Sequence, residues 1–266
     1  MTQAGIPVPS QMRLLLPIAT IVGVLVIWHF AVELWEIPPY LVPSPASVLD
    51  AAIEYRLAFW DAAKITLFET IIGFGLAIVI GLGLAIMFVW VMSIRDSVYP
   101  IILITQAMPK IAIAPLFIVW LGPTAISAKV LLVFLISFFP IVVNAVRGLE
   151  SAEPDLIDLM RSMGANHWKI FTKLQLPGAV PYIFTGLKVG VTMAVTGALV
   201  GELMGGNRGL GYLMNVASGE INTAMMFANI VVLTFMAMLL FYVIEGLDRL
   251  LTRWQDRGVT IVNATA

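Results

Sequence analysis

The chain has 266 residues, with 15 basic and 16 acidic groups and a net charge of −1. Hydrophobic residues make up 60% and charged ones 12%, about half the roughly 25% of an ordinary soluble domain, and mean hydropathy is +0.98. This excludes a disordered chain, argues against a soluble enzyme and leaves an all-α membrane protein, at about 20 apolar residues per crossing; the absence of cysteine excludes thiol and Fe–S chemistry, and the thin, balanced charge argues against nucleic acid.

Six apolar stretches are expected to cross the membrane: residues 14–32, 65–92, 98–121, 130–146, 180–203 and 225–244. Arg13 precedes the first, and no small-residue cleavage site follows, so it reads as a retained span. Residues 37–45 hold four prolines and form an irregular outer segment before a surface helix at 46–58. In the second span Gly73, Ala77, Gly81 and Ala85 recur every four residues, a small-residue face for close helix packing. Glu69, one turn inside that span, suits interhelical hydrogen bonding.

The third stretch carries Lys110 between Pro109 and Pro115. Prolines break the helical hydrogen-bond ladder, and broken helices line cavities in transporters. Lys110 could therefore meet an anionic solute, or else snorkel or pair with a carboxylate. Asn144, near the end of the fourth span, suits an interhelical hydrogen bond before a pathway contact. In the fifth span Lys188 and Glu202 lie about 21 Å apart along the axis at 1.5 Å per residue and cannot pair. Glu202 stands near the outer end, at a gate, a docking surface or simply the membrane interface. Residues 205–211 hold four glycines, but no strand precedes them and the spacing is neither Gly-x-Gly-x-x-Gly nor Walker A. They read as a turn-rich outer loop. His29 and His167 fall in different compartments, so no metal site is expected.

The polar segment 147–177 is too ordered in pattern to be a mere connector. Pro154 suits a first helical turn, with Ser151 or Glu153 at the cap. Leu156, Leu159, Met160 and Met163 then share one helix face, and Gly164 suits the helix stop. A second short helix is expected at 166–173, presenting Trp168 and Phe171, with Leu176-Pro177 ending the unit. The first helix carries Asp155 and Asp158 against Arg161, a poor match for an anionic lipid surface and a better one for a groove on a partner. Arg13, Arg95, Arg147, Arg161, Lys169, Lys173, Arg249, Arg253 and Arg257 would lie on the side of this segment, and only Arg56 and Arg208 opposite. By the positive-inside bias both termini are cytoplasmic.

Asp158-Leu-Met-Arg-Ser-Met-Gly164, nine residues, then Leu174-Gln-Leu-Pro177 resembles the EAA loop of ABC importer membrane subunits. The spacing is kept in full; Asp158 replaces Glu, Leu159-Met160 replaces Ala-Ala, and Leu174 replaces Ile. Met108-Pro109-Lys110-Ile-Ala-Ile-Ala-Pro115-Leu, Trp120-Leu-Gly122, Phe139-Pro140-Ile, Leu176-Pro177-Gly-Ala-Val-Pro181 and Gly209-Leu-Gly211-Tyr212 look like the nitrate/sulfonate/taurine-type permease branch, over residues 60–255. That branch also includes carriers of pyrimidine vitamin precursors and riboflavin.

The resemblance implies a type I importer fold in one transmembrane domain, residues 1–266. It implies a second permease copy in a homodimer, two cytoplasmic ATPases that hold the ATP and Mg, and a binding protein that meets the outer loops. No cofactor is expected on this chain, and membrane lipid surrounds it. Asp158, Leu159, Met160, Met163, Gly164, Leu176 and Pro177 would form the coupling element; Pro109, Lys110, Pro115, Asn144 and Glu202 would lie along the solute pathway. An ion-gradient transporter or a membrane-embedded enzyme using Glu202 or Lys110 would need no such loop.

Overall fold

A computed structural model describes residues 10–252, residue 123 excepted. Arg253 and Arg257, counted above for orientation, lie outside the described residues. The regular structure among them is all helical: α1 (Ser10–Leu34), α2 (Pro45–Glu54), α3 (Arg56–Trp90), α4 (Met92–Gln106), α5 (Ala114–Leu121), α6 (Ile126–Glu150), α7 (Pro154–Ser162), α8 (His167–Ile170), α9 (Leu176–Gly205), α10 (Leu210–Gly219) and α11 (Thr223–Leu251). α1, α3, α6, the run through α8 and α9, and α11 are each long and apolar enough to cross a membrane.

The third expected span is not one straight helix. α4 and the segment Lys110–Leu121 meet at 92°. Pro109 disfavours helical geometry in the residue before it, and α4 ends at Gln106 with Ala107 as cap. Lys110–Ile113 makes a tight 3₁₀ turn, and Pro115 then sits in the first turn of α5, where its missing N–H costs nothing. Gly122, at φ +99°, ends α5.

α6 is the centre of the bundle, packed between α3 and α9. Ile141, Val142, Val133 and Leu132 of α6 are buried completely or nearly so. The stripe Gly73, Ala77, Gly81, Ala85 is buried on the face of α3 that meets α6, as the spacing predicts. At Gly73 the approach is closest. A Cβ there would stand 2.5 Å from Val133 Cβ and 2.8 Å from the Val130 carbonyl oxygen. Gly73→Ala should therefore cost about 1–3 kcal/mol through forced displacement of α6. Gly75→Ala, where a Cβ meets nothing within 4 Å, should be neutral or slightly stabilising. Thermal unfolding of the two variants in detergent checks the contrast.

The expected surface helix at 46–58 ends at Glu54 and is not free. Ser44 caps it, accepting from Ser47 N–H at 3.2 Å, and Val48 and Ala51 bury in an apolar cluster shared with α11. Trp28 of α1 packs on Phe227 of α11, ring centroids 5.6 Å apart. α10 is a helix that the hydropathy pattern does not announce; Leu210, Gly211 and Ala217 bury it against the bundle.

Candidate functional site

α7 and α8 form a hairpin at the end of the bundle where α3 and α6 terminate. Glu153 occupies the N-cap of α7 without a side-chain hydrogen bond, and Ser151 instead closes α6, its hydroxyl donating to the Gly148 carbonyl at 2.7 Å. Leu156, Leu159 and Met163 stand exposed, Met163 at 78%. Met160 and Ile157 are half-buried. Asp158 does not reach another element; it pairs with Arg161 on its own helix at 3.2 Å.

Gly164 has φ +79°. Its N–H bonds the Arg161 carbonyl and the Ala165 N–H bonds the Met160 carbonyl, both at 2.9 Å. This paired pattern closes a helix through a left-handed residue, where glycine carries no Cβ penalty. The Asn166 side chain then accepts from Lys169 N–H at 2.9 Å and starts α8. The hairpin is anchored by aromatic contact: Trp168 lies 5.9 Å from Trp90, at the end of α3, and Phe171 lies 5.8 Å from Trp90, with Ile170 and Phe171 buried.

Leu176-Pro177 does not end this unit. Residues Phe171–Gln175 widen into a π-helical turn, in which Leu176 N–H bonds the Phe171 carbonyl, and α9 continues from it. Pro177 has no N–H to offer the Lys173 carbonyl four residues back, and the wider turn lets the helix run on through that gap. Leu176 is half-buried in the cluster that holds Phe88 and Phe171, so it packs rather than projects.

Of the five pathway candidates, Lys110 faces a cavity. It is half-buried; its Nζ donates to the Gln106 carbonyl at 3.1 Å and stands 4.6 Å above the Phe139 ring. No carboxylate pairs with it among the described residues. The cavity, about 340 Å³, is also lined by Pro140, Val189, Met193 and Thr196. Pro109 and Pro115 shape the break but do not line the cavity. Asn144 lines none of the main cavities either; its Nδ2 donates to the Pro140 carbonyl of its own helix at 2.8 Å, a correction to the interhelical bond expected.

Glu202 is fully buried within the chain and lines none of the cavities described. Thr66 Oγ1 donates to its Oε1 at 2.7 Å and Gly211 N–H to its Oε2 at 2.6 Å, while Leu210 N–H donates to Thr66 Oγ1 at 2.9 Å. Gly209, at φ +99°, passes so close that any side chain would collide with the Glu202 carboxylate. The glycine loop thus folds inward onto Glu202, with only Asn207 and Arg208 exposed at its tip. Beside it, Glu69 and Lys129 form an ion pair at 3.0 Å with side chains 0% and 3% exposed. Lys188 pairs with Asp248 of α11 at 2.6 Å and with Glu245. Lys129 and Thr66 were not singled out from sequence. A lysine at the edge of one span and a glutamate one turn inside another were the signal available, but 60 residues separate them and no local pattern pairs them.

Chain arrangement and hairpin together define an all-helical protein with five helices, or six segments counting the bent pair, long and apolar enough to cross a membrane among the described residues. One solved structure, described as an inward-facing conformation of the MetNI methionine ABC transporter, aligns with a TM-score of 0.64, over 75% of this chain and 98% of that one, at 21% identity. Among characterised relatives, the formylaminopyrimidine transport permease ThiX of Halalkalibacterium halodurans is 34% identical, over 88% of this chain and 93% of its own. The riboflavin permease RibX of Chloroflexus aurantiacus is 35% identical, over 89% of this chain and 88% of its own. The taurine permease TauC of Escherichia coli is 28% identical over 92% of each. The profile of the family described as the inner membrane component of binding-protein-dependent transport systems matches residues 77–257. The chain belongs to this family of ABC importer permeases.

Proposed function

We propose that two copies of this chain form the translocation pathway of an ABC importer for a small organic anion such as a sulfonate, and that two cytoplasmic ATPases engage the α7–α8 hairpin. The observation that carries this reading is the hairpin itself: Leu156, Leu159 and Met163 exposed on a rigidly capped helix, with Trp90, Trp168 and Phe171 tying it to the end of α3. A capped helix held at one base transmits a rigid-body push to the spans behind it. ATP and Mg belong to the ATPases, and this chain supplies no catalytic group. A binding protein delivers solute on the opposite face. In this reading the hairpin and both termini are cytoplasmic, which the excess of Lys and Arg on that side supports.

Lys110 is the pathway cation in this reading. Its Nζ is held by one backbone carbonyl and one ring face, both easily exchanged for an anionic solute. Lys110→Gln should raise KM for an anionic solute about tenfold, the loss of one charged hydrogen bond, with ATPase activity in the absence of solute unchanged. Uptake by vesicles at graded solute concentration reads this directly. An unchanged KM would remove Lys110 from the pathway. A planar heterocycle is the second reading, favoured by the higher identity to the formylaminopyrimidine and riboflavin permeases.

A further inference from the structure

A groove of about 360 Å³ runs between the first turns of α3 and the middle of α11, and Ala52 of α2 adds to its lining. Phe59 and Met236 form its buried floor, while Trp60, Phe235 and Leu239 stand exposed along its walls. An exposed apolar face is ordinary in a chain that crosses a membrane, because lipid tails cover it. This one differs in shape and in charge. It is concave, and the two charged side chains that line it, Arg56 and Lys64, are both basic. Arg56 is the first residue of α3, and Leu67, the last α3 residue in the groove, stands about 16 Å further along the axis at 1.5 Å per residue. That is about half of the roughly 30 Å hydrocarbon thickness, the depth of one leaflet.

The charged end suits a phosphate. Arg56 Nη1 donates to the Ile53 carbonyl at 3.0 Å, and the guanidinium pairs with no carboxylate among the described residues. Its five N–H donors form a planar fork that matches a phosphate, so most of them are left for a ligand. Trp60, one turn on, adds an amphipathic ring of the kind that sits at headgroup level. Lys64 is exposed and already engaged by Asp61 at 2.7 Å, which makes it the weaker cation. An apolar helix of a second copy would fit the walls, but it would cover both cations without offering them a counter-charge.

We propose that this groove holds one anionic phospholipid, its phosphate at Arg56 and an acyl chain along Phe59, Ala63 and Phe235. The site shares no lining residue with the Lys110 cavity, so it is separate from the solute pathway and stands whatever the solute is.

The cysteine-free chain lets a single thiol report on occupancy. Ala63 is half-buried and lines the groove, so a seated acyl chain would cover a thiol placed there. Ala63→Cys, in the assembled transporter purified in lipid-depleted detergent, is reacted with an apolar maleimide while phosphatidylglycerol or phosphatidylcholine of the same acyl chains is added back. Phosphatidylglycerol should protect at a concentration about tenfold lower than phosphatidylcholine, and Arg56→Gln should remove that preference. Glycerol 3-phosphate, a headgroup without chains, should not protect. As a second measurement, native mass spectrometry of the assembled transporter should find one phosphatidylglycerol retained per chain. Ala63→Trp, which fills the groove and keeps Arg56, should lose it. Equal protection by the two lipids would overturn the phosphate contact. Protection by glycerol 3-phosphate would overturn the lipid in favour of a soluble anion. A thiol that stays unreactive in lipid-free detergent would overturn the site in favour of a second copy seated over the groove.

Discussion

Gly164→Asp should reduce ATP-driven uptake to background while the protein still accumulates in the membrane and unfolds within a few degrees of the unaltered chain. The small structural effect follows from the position. A Cβ at residue 164 would meet nothing within 4 Å, and aspartate tolerates the left-handed region better than most residues. The expected cost to the fold is about 1 kcal/mol. The large functional effect follows from the proposed docking. The new carboxylate would stand beside Met163, the most exposed of the three apolar side chains on α7, at the end of the helix whose dipole already disfavours negative charge. An apolar contact with a partner cannot absorb a charge there without leaving it desolvated. Uptake by vesicles that also contain the ATPase, with unfolding temperature measured in parallel, separates the two effects. Normal uptake would mean that no partner covers this end of the hairpin.

Lys129→Met should destabilise the bundle by about 3–5 kcal/mol, because it leaves Glu69 buried without its counter-charge. For a chain of this size that corresponds to a fall in unfolding temperature on the order of 10 °C. Lys129→Met combined with Glu69→Leu should recover most of the loss, since replacing both members of a buried pair by apolar groups is often neutral or stabilising. Thermal unfolding of the single and double variants in one detergent tests this. If the single variant unfolds with the unaltered chain, the pair is not buried as described. If the double variant is as unstable as the single one, the ion pair does more than satisfy its own charges.

The hairpin and the buried ion pair differ in how plainly the sequence shows them. The hairpin was legible because its signals are local: the 3.6-residue recurrence of Leu156, Leu159 and Met163, a proline at the start and a glycine at the stop all act within one or two turns. The glycine stripe on α3 was legible for the same reason. Pro109 and Pro115 announced a break, but the 92° between the two halves depends on what α4 and α5 pack against, which no local pattern encodes. Leu176-Pro177 looked like an end because proline usually is one, and the π-helical turn before it lets α9 run on. Glu202 was misplaced since its sequence position gave depth along α9 but not direction. What faces it, Thr66 and the backbone N–H of Gly211, comes from α3 and from α10, a ten-residue helix hidden behind a turn-rich loop.

The proposed transport cycle turns on one physical event above all: an ATPase seated on α7. Affinity purification of the chain from native membranes in mild detergent, with the associated proteins identified by mass spectrometry, tests it most directly. A soluble ATPase carrying a Walker A motif should be recovered with the unaltered chain and lost with Gly164→Asp. A stable, folded complex that contains no ATPase in any of several detergents would contradict it.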